Sequence, residues 1–195
     1  MKQLFFVLLV FSAVAAPAQP LFQDSIAINR ASLNKTNMYV LGAWAGANIL
    51  QGTISASNTI GSDHFFHQMN AYWNIANLAI ATVGLLSIKK QMTGPHSFER
   101  NMREQHQLEK IIVFNGGLDL AYLATGLYLK ERGERLNKDQ LKGYGTSLLV
   151  QGGFLLLFDI IQYTGHRRNG KLLEKNMANW QFGATGNGLG LSYQF

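Results

Sequence analysis

The sequence predicts an all-α protein: an up-and-down four-helix transmembrane bundle after a cleaved signal peptide, ending in a short C-terminal β-hairpin or extended tail. Three observations carry that expectation. Of 195 residues, 47% are hydrophobic and only 14% charged, against a usual charged share of about a quarter. Four apolar stretches follow one another, at about 36–56, 65–88, 108–129 and 141–164. Each reaches across a bilayer core of about 30 Å at a helical rise of about 1.5 Å per residue. The stretches "VFNGGLDLAYLATGLYL" and "TSLLVQGGFLLLFDII" are apolar nearly all the way round. A helix of that kind must be covered on every side, and a chain of this length is too short to bury four of them completely in water.

The first element is residues 1–18. "MKQLFFVLLVFSAVAAPAQP" opens with Lys2, continues in an apolar run from Leu4 to Val14, and places Ala13, Ala15, Ala16 and Ala18 ahead of Gln19. A cationic start, a short apolar run and small residues before the cleavage point define a secretory signal peptide. The run is shorter than the roughly 20 residues of a spanning helix. A polar N-terminal segment, 19–35, comes next, and residues 36–166 form the bundle. Its helix ends are punctuated by "SIKKQMTGPH", with Lys89, Lys90, Gly94 and Pro95, by "LKERGERLNKDQ" and by "YTGHRRNGK", as helices in lipid are. Aromatic residues such as Tyr39, Trp44, Tyr72, Trp73, Tyr122, Tyr128, Tyr144 and Tyr163 include candidates for the membrane interface. In the tail, 167–195, Trp180, Phe182 and Ala184 alternate, "TGNG" supplies turn residues, and Leu189, Leu191, Tyr193 and Phe195 alternate again. That pattern is the hairpin signal, and the alternative is an extended tail capping the bundle.

The composition excludes several functions. A net charge of +6 would suit nucleic acid, but the seventeen Lys and Arg flank apolar segments instead of interleaving with aromatics in a basic stripe. The expected partner is membrane lipid, with a protein partner or a second copy open and no nucleic acid. With no cysteine there is no disulfide, thiol nucleophile or cysteine metal site. No phosphate loop, nucleophile elbow or H-E-x-x-H helix is present, and no cofactor is expected. His64 and His67, three apart in "HFFHQMN" beside Asp63, are weak metal candidates; solvated end-turn histidines are the simpler reading. The expected location is the cell envelope, in the inner membrane in preference to the outer. Cleavage before Gln19 places that end outside, which leaves eleven cations outside against five inside, opposite to the positive-inside tendency.

The candidate site is a polar seam. Asn70, Asn74 and Asn77 recur at intervals of four and three, on one helical face. In an up-and-down bundle Asn48, Asn77, Asn115, Asp119 and Gln151 fall near mid-depth, and Asp159 lies toward the end that holds Arg167 and Arg168. An unsatisfied amide in hydrocarbon costs several kcal/mol, so these side chains turn inward, and each interhelical bond contributes about 0.6 to 2 kcal/mol. Gly42 and Gly46, Gly116 and Gly117, and Gly152 and Gly153 are the small residues expected at close helix approaches. The seam reads first as structural glue. An intramembrane carboxylate such as Asp119 is also a functional candidate, for a proton relay, a cation or a substrate contact.

The motifs "NMYVLGAWAGANI", "MNAYWNIANLAIA" and "NGGLDLAYLATGLYL", set after a signal peptide, resemble an uncharacterised family of small exported four-helix membrane proteins, over about Asn34 to His166. The resemblance implies the fold and assigns no activity. The functional expectation is a multi-pass membrane protein with a structural, partner-binding or small-permeant role. The alternatives are a membrane-embedded enzyme or proton-coupled carrier using Asp119, and an envelope accessory protein docking through its C-terminal hairpin.

Overall fold

The computed structural model describes residues 18–93, 96–178, 180–185 and 188–193. The signal peptide reading falls on residues 1–17, outside the described residues. Four long helices follow: α1 (Ala18–Asn58), α2 (Gly61–Met92), α3 (Phe98–Arg135) and α4 (Asp139–Ala178). Two six-residue strands, β1 (Trp180–Thr185) and β2 (Gly188–Tyr193), then pair antiparallel with Trp180 opposite Tyr193.

Each helix outruns its apolar stretch, because the flanking polar sequence is also helical. In 19–35, Gln23, Ile26, Ala27, Arg30 and Ala31 are all buried. Their spacing of three, four, seven and eight is one helical face, and it packs against the start of α3 and the end of α4. At about 1.5 Å per residue, the 41 residues of α1 extend about 60 Å, roughly twice the hydrocarbon core. The bundle therefore has an apolar half and, at the end holding the α1 and α3 N-termini, a polar extension.

The turns follow from local chemistry. Ser97 caps α3, its hydroxyl accepting from the Arg100 N–H at 3.2 Å, which satisfies one free donor of the first turn. At the other end of α3, Asn137 takes a positive φ of 51°. The Asn137 N–H bonds the Glu134 carbonyl at 3.2 Å and the Lys138 N–H bonds the Gly133 carbonyl at 2.8 Å. This is a Schellman closure with asparagine in the left-handed position, and it reverses the chain into α4 within three residues.

The pairing of helices decides where a site can form. α1 packs along α2, α3 along α4, and α2 along α4, while the α2 and α3 backbones stand apart. α1 and α4 meet through Leu41 and Phe158, so two antiparallel hairpins lie against each other with a gap between α2 and α3. The α3 and α4 backbones approach closely. A Cβ at Gly126 would lie 2.9 Å from the Gly145 carbonyl oxygen, and one at Gly145 would lie 2.7 Å from that of Gly126. Of the glycines expected at helix contacts, Gly152 faces Leu123 and the Asp119 carbonyl, and Gly42 has ordinary room against Ala81. Gly46, Gly116, Gly117 and Gly153 have nothing within 4 Å of a built Cβ. The G-x-x-x-G spacing at 42 and 46 is thus not a tight crossing.

Burial is inverted relative to a water-soluble domain. Among the described residues sixteen polar or charged residues are buried, against twelve apolar ones. Large apolar side chains point outward, with Leu86 76% exposed, Val83 and Phe114 67%, and Ile161 68%. A bundle with amides inside and leucines outside is compatible with membrane association. Three helices are long and apolar enough to cross a membrane: α2, α3 and α4 from Asp139 to Lys175. The expectation of four spans is met by these three helices among the described residues. The apolar part of α1 carries Asn37, Asn48 and Gln51, and their amides keep it out of that class.

Candidate functional site

The expected polar seam divides into a network and a groove. In the network, Asn70 is the hub. Its side-chain oxygen accepts from the Ser147 hydroxyl at 2.7 Å and from the Gln151 amide at 3.0 Å. The Gln151 oxygen accepts from the Trp44 ring N–H at 3.0 Å, and its amide reaches the Asn48 oxygen at 3.4 Å. Asn48 also donates to the Trp44 carbonyl at 2.9 Å. Asn74 donates to the Asn70 carbonyl at 2.8 Å, and Asn77 donates to the Asn74 side-chain oxygen at 3.2 Å. The spacing of the three asparagines thus lays a ladder of amides along α2, facing α4 and, through Gln151, α1. Trp44 stacks on Phe154 with ring centroids 3.8 Å apart, which seals one side.

The groove occupies the gap between α2 and α3. It has a volume of about 520 Å³ and is lined by all four helices, with α2 and α3 on its two sides. Leu41, Ile80, Ile112, Leu155 and Phe158 make it largely apolar, and Trp73 of α2 meets Tyr122 of α3 edge to face at 4.8 Å across it. Asp119 and Asp159 line it, 3% and 7% exposed, within hydrogen-bonding reach of each other. Gln162 donates to Asp159 at 3.0 Å and accepts from Asn37 at 2.9 Å. One oxygen of Asp119, Oδ2, is buried without a partner.

The structure adds partners to the depth reading of Asp159. Its Cα does lie toward the Arg167 end, but Arg167 pairs instead with Glu174, at 2.6 Å, and with Glu109, at 3.5 Å. Helical side chains lean toward their own N-terminus. Because α3 and α4 are antiparallel, Asp119 leans toward the polar extension and Asp159 leans away from it, so the two carboxyls converge. Asn115 lines the groove but is exposed and makes no side-chain hydrogen bond among the described residues.

His64 and His67 are each engaged with α1. The His64 ring nitrogen lies 2.7 Å from the Ala56 carbonyl, and that of His67 lies 3.1 Å from the Gln51 amide. Among the described residues no three metal-ligating side chains come together.

The sequence reading missed a second polar core, in the extension. Asn101, fully buried, donates to the Gln23 backbone and side-chain oxygens, both at 2.9 Å, and accepts from Arg30 at 3.1 Å. Arg30 is 3% exposed and pairs with Glu104, which also accepts from Arg100 at 2.7 Å. Burial opposes the Glu104 charge, but the two guanidiniums outweigh it and hold this carboxyl below its ordinary pKa. Asn169 bonds Gln105 at 3.1 Å, the Ile26 carbonyl at 3.2 Å and Asn29 at 2.9 Å. The available signal was the face repeat that continues through Gln23, Ile26, Ala27 and Arg30.

A family model matches residues 40–160, well over half of the chain. The chain belongs to a family of unknown function, DUF6992. The matched segment holds the whole amide network and nearly all of the groove, both aspartates included, while the start of α1 lies outside it. No curated protein and no solved structure matches the chain.

Proposed function

We propose that the protein is an integral membrane binding protein that holds an amphiphilic molecule in the groove between α2 and α3. The observation that carries this reading is the groove itself. An apolar cleft between two helices whose backbones stand apart, set in a belt of outward leucines and isoleucines, is open to the acyl-chain layer. At its base sit polar groups that would fix one end of an occupant, the usual division of labour in a ligand site. The amide network serves as the scaffold that keeps α1, α2 and α4 together while α3 stands away from α2. In this reading α1 also crosses the membrane, its amides covered by α2 and α4, and the protein resides in the cell envelope after export.

The test uses Trp73, which lines the groove. The purified protein in nanodiscs is titrated with a bromine-labelled long-chain alcohol, and tryptophan quenching is followed. The expected result is a saturable component that disappears in Trp73→Phe and is blocked by Ala76→Phe, which adds a ring to the groove wall. Quenching that rises linearly and is the same in Ala76→Phe would reject the reading.

A carrier role uses the same residues and is favoured by one observation, the unpartnered Oδ2 of Asp119. Two facing carboxyls inside a span are satisfied by a bridging proton or by a cation beside them. Exchanging one for the other is the elementary step of a proton-coupled carrier.

A further inference from the structure

We infer that the occupant of the groove is an ammonium-bearing amphiphile, its nitrogen seated at the Asp119–Asp159 pair and its chain lying between α2 and α3; this rests on the groove reading above. Charge and donor inventory carry the inference. Two carboxyls line the groove, yet no Lys, Arg or His is among its lining residues. Two arginines of the extension are already paired: Arg30 with Glu104, and Arg167 with Glu174 and Glu109. The polar groups that reach the pair from within the protein are few. Gln162 donates to Asp159, and Asn77 spends its amide on Asn74. Asp119 lines the groove, and its Oδ2 is buried with no hydrogen-bond partner among the described residues.

An acceptor-rich, water-poor site of this kind asks for a donor that is also positive. A primary ammonium supplies three N–H donors and one charge. The aromatic wall fits the same group. Tyr122 lies one helical turn from Asp119 on α3 and, with Trp73, presents ring faces and edges at the closed end of the cleft; indole and phenol rings attract cations. An alcohol would satisfy one oxygen and leave the charge unanswered, and a fatty acid would add a third carboxyl. A phosphatidylglycerol would bring a negative phosphate and no positive group to answer the two carboxyls, whereas a phosphatidylethanolamine carries its own ammonium.

The experiment is a competition on the full chain in phosphatidylglycerol nanodiscs. A bromine-labelled long-chain alcohol quenches Trp73, and dodecylamine, dodecanol and dodecanoate compete for the groove. Dodecylamine is expected to compete at least about 10-fold more tightly than dodecanol, and dodecanoate less tightly than either. In Asp119→Asn/Asp159→Asn, which keeps shape and removes the acids, dodecanol competes as before and the amine advantage is lost. Equal competition by amine and alcohol on the parent protein overturns the inference and leaves the groove reading standing, as does an advantage that survives the double substitution. Absence of saturable quenching by the alcohol removes both. Repeating the parent titration in phosphatidylethanolamine nanodiscs separates two sources of the same chemistry. An amine advantage that shrinks there assigns the site to the lipid's own ammonium, and one that persists assigns it to a free long-chain amine.

Discussion

Asn101 and Asn115 are both amides on α3, and the structure gives them opposite weights. Asn101 is fully buried and closes a triangle between Gln23 and Arg30, whereas Asn115 stands exposed at the groove. Removing the first strands the Gln23 side-chain oxygen and one Arg30 N–H, and an unsatisfied buried polar group costs about 1 to 3 kcal/mol. Asn101→Ala is therefore expected to lower unfolding stability in detergent by about 2 to 3 kcal/mol. Asn115→Ala should stay within about 0.5 kcal/mol of the parent, as surface changes do. Chemical unfolding of the two variants side by side measures the difference; equal losses would mean that burial does not set the weight of these amides. Sequence reasoning placed Asn115 in the seam and passed over Asn101, because depth along a helix is legible from spacing whereas azimuth relative to neighbours is not. The same limit explains Asp159. Its Cα depth was readable, but the meeting with Asp119 depends on two antiparallel helices leaning their side chains toward each other.

At the scale of the element, the helix contacts are set by small residues in places the familiar motif does not mark. Gly126 and Gly145 let the α3 and α4 backbones approach until an added Cβ on either would meet the other's carbonyl. Backbone cannot step aside as a flexible side chain does, so Gly126→Ala is expected to destabilise by about 1 to 3 kcal/mol. Gly46→Ala adds its methyl to open space and gains helix propensity, so it should be neutral or stabilising by up to about 1 kcal/mol. Thermal melts of both variants decide the matter, and a larger loss at 46 than at 126 would contradict this packing. The helices themselves were legible from the four apolar stretches and from their punctuation by "SIKKQMTGPH" and "LKERGERLNKDQ". Their length was not, because the extension is built on a mixed face in which Gln23 and Arg30 alternate with Ile26 and Ala27. A membrane-length window reads such a segment simply as polar.

For the whole molecule, the inverted burial and the polar extension together constrain how the chain sits. The outward apolar belt is bounded near residues 36, 88, 108 and 164 on one side, beyond which α1, α3 and α4 continue as a charged unit joined by Arg30 with Glu104 and by Arg167 with Glu109. On the other side the connections at 59–60 and 136–138 are short. If α3 spans, the two ends of that one helix face different compartments. Because the chain has no cysteine, single cysteines report this directly. Glu99 and Glu134 suit the purpose: both are exposed on α3, and neither disturbs the Ser97 cap or the left-handed Asn137. With a membrane-impermeant maleimide on intact cells, and lysed cells as the control, one position and not the other should label. Cleavage before Gln19 puts the extension outside and predicts labelling at Glu99→Cys. The excess of cations on the extension predicts labelling at Glu134→Cys instead, since positive flanks tend to stay in the cytoplasm. The experiment thus chooses between two rules of export that this sequence sets against each other. Labelling of both positions would mean that α3 does not cross the membrane, and the Asp119–Asp159 groove would then open to water instead of lipid.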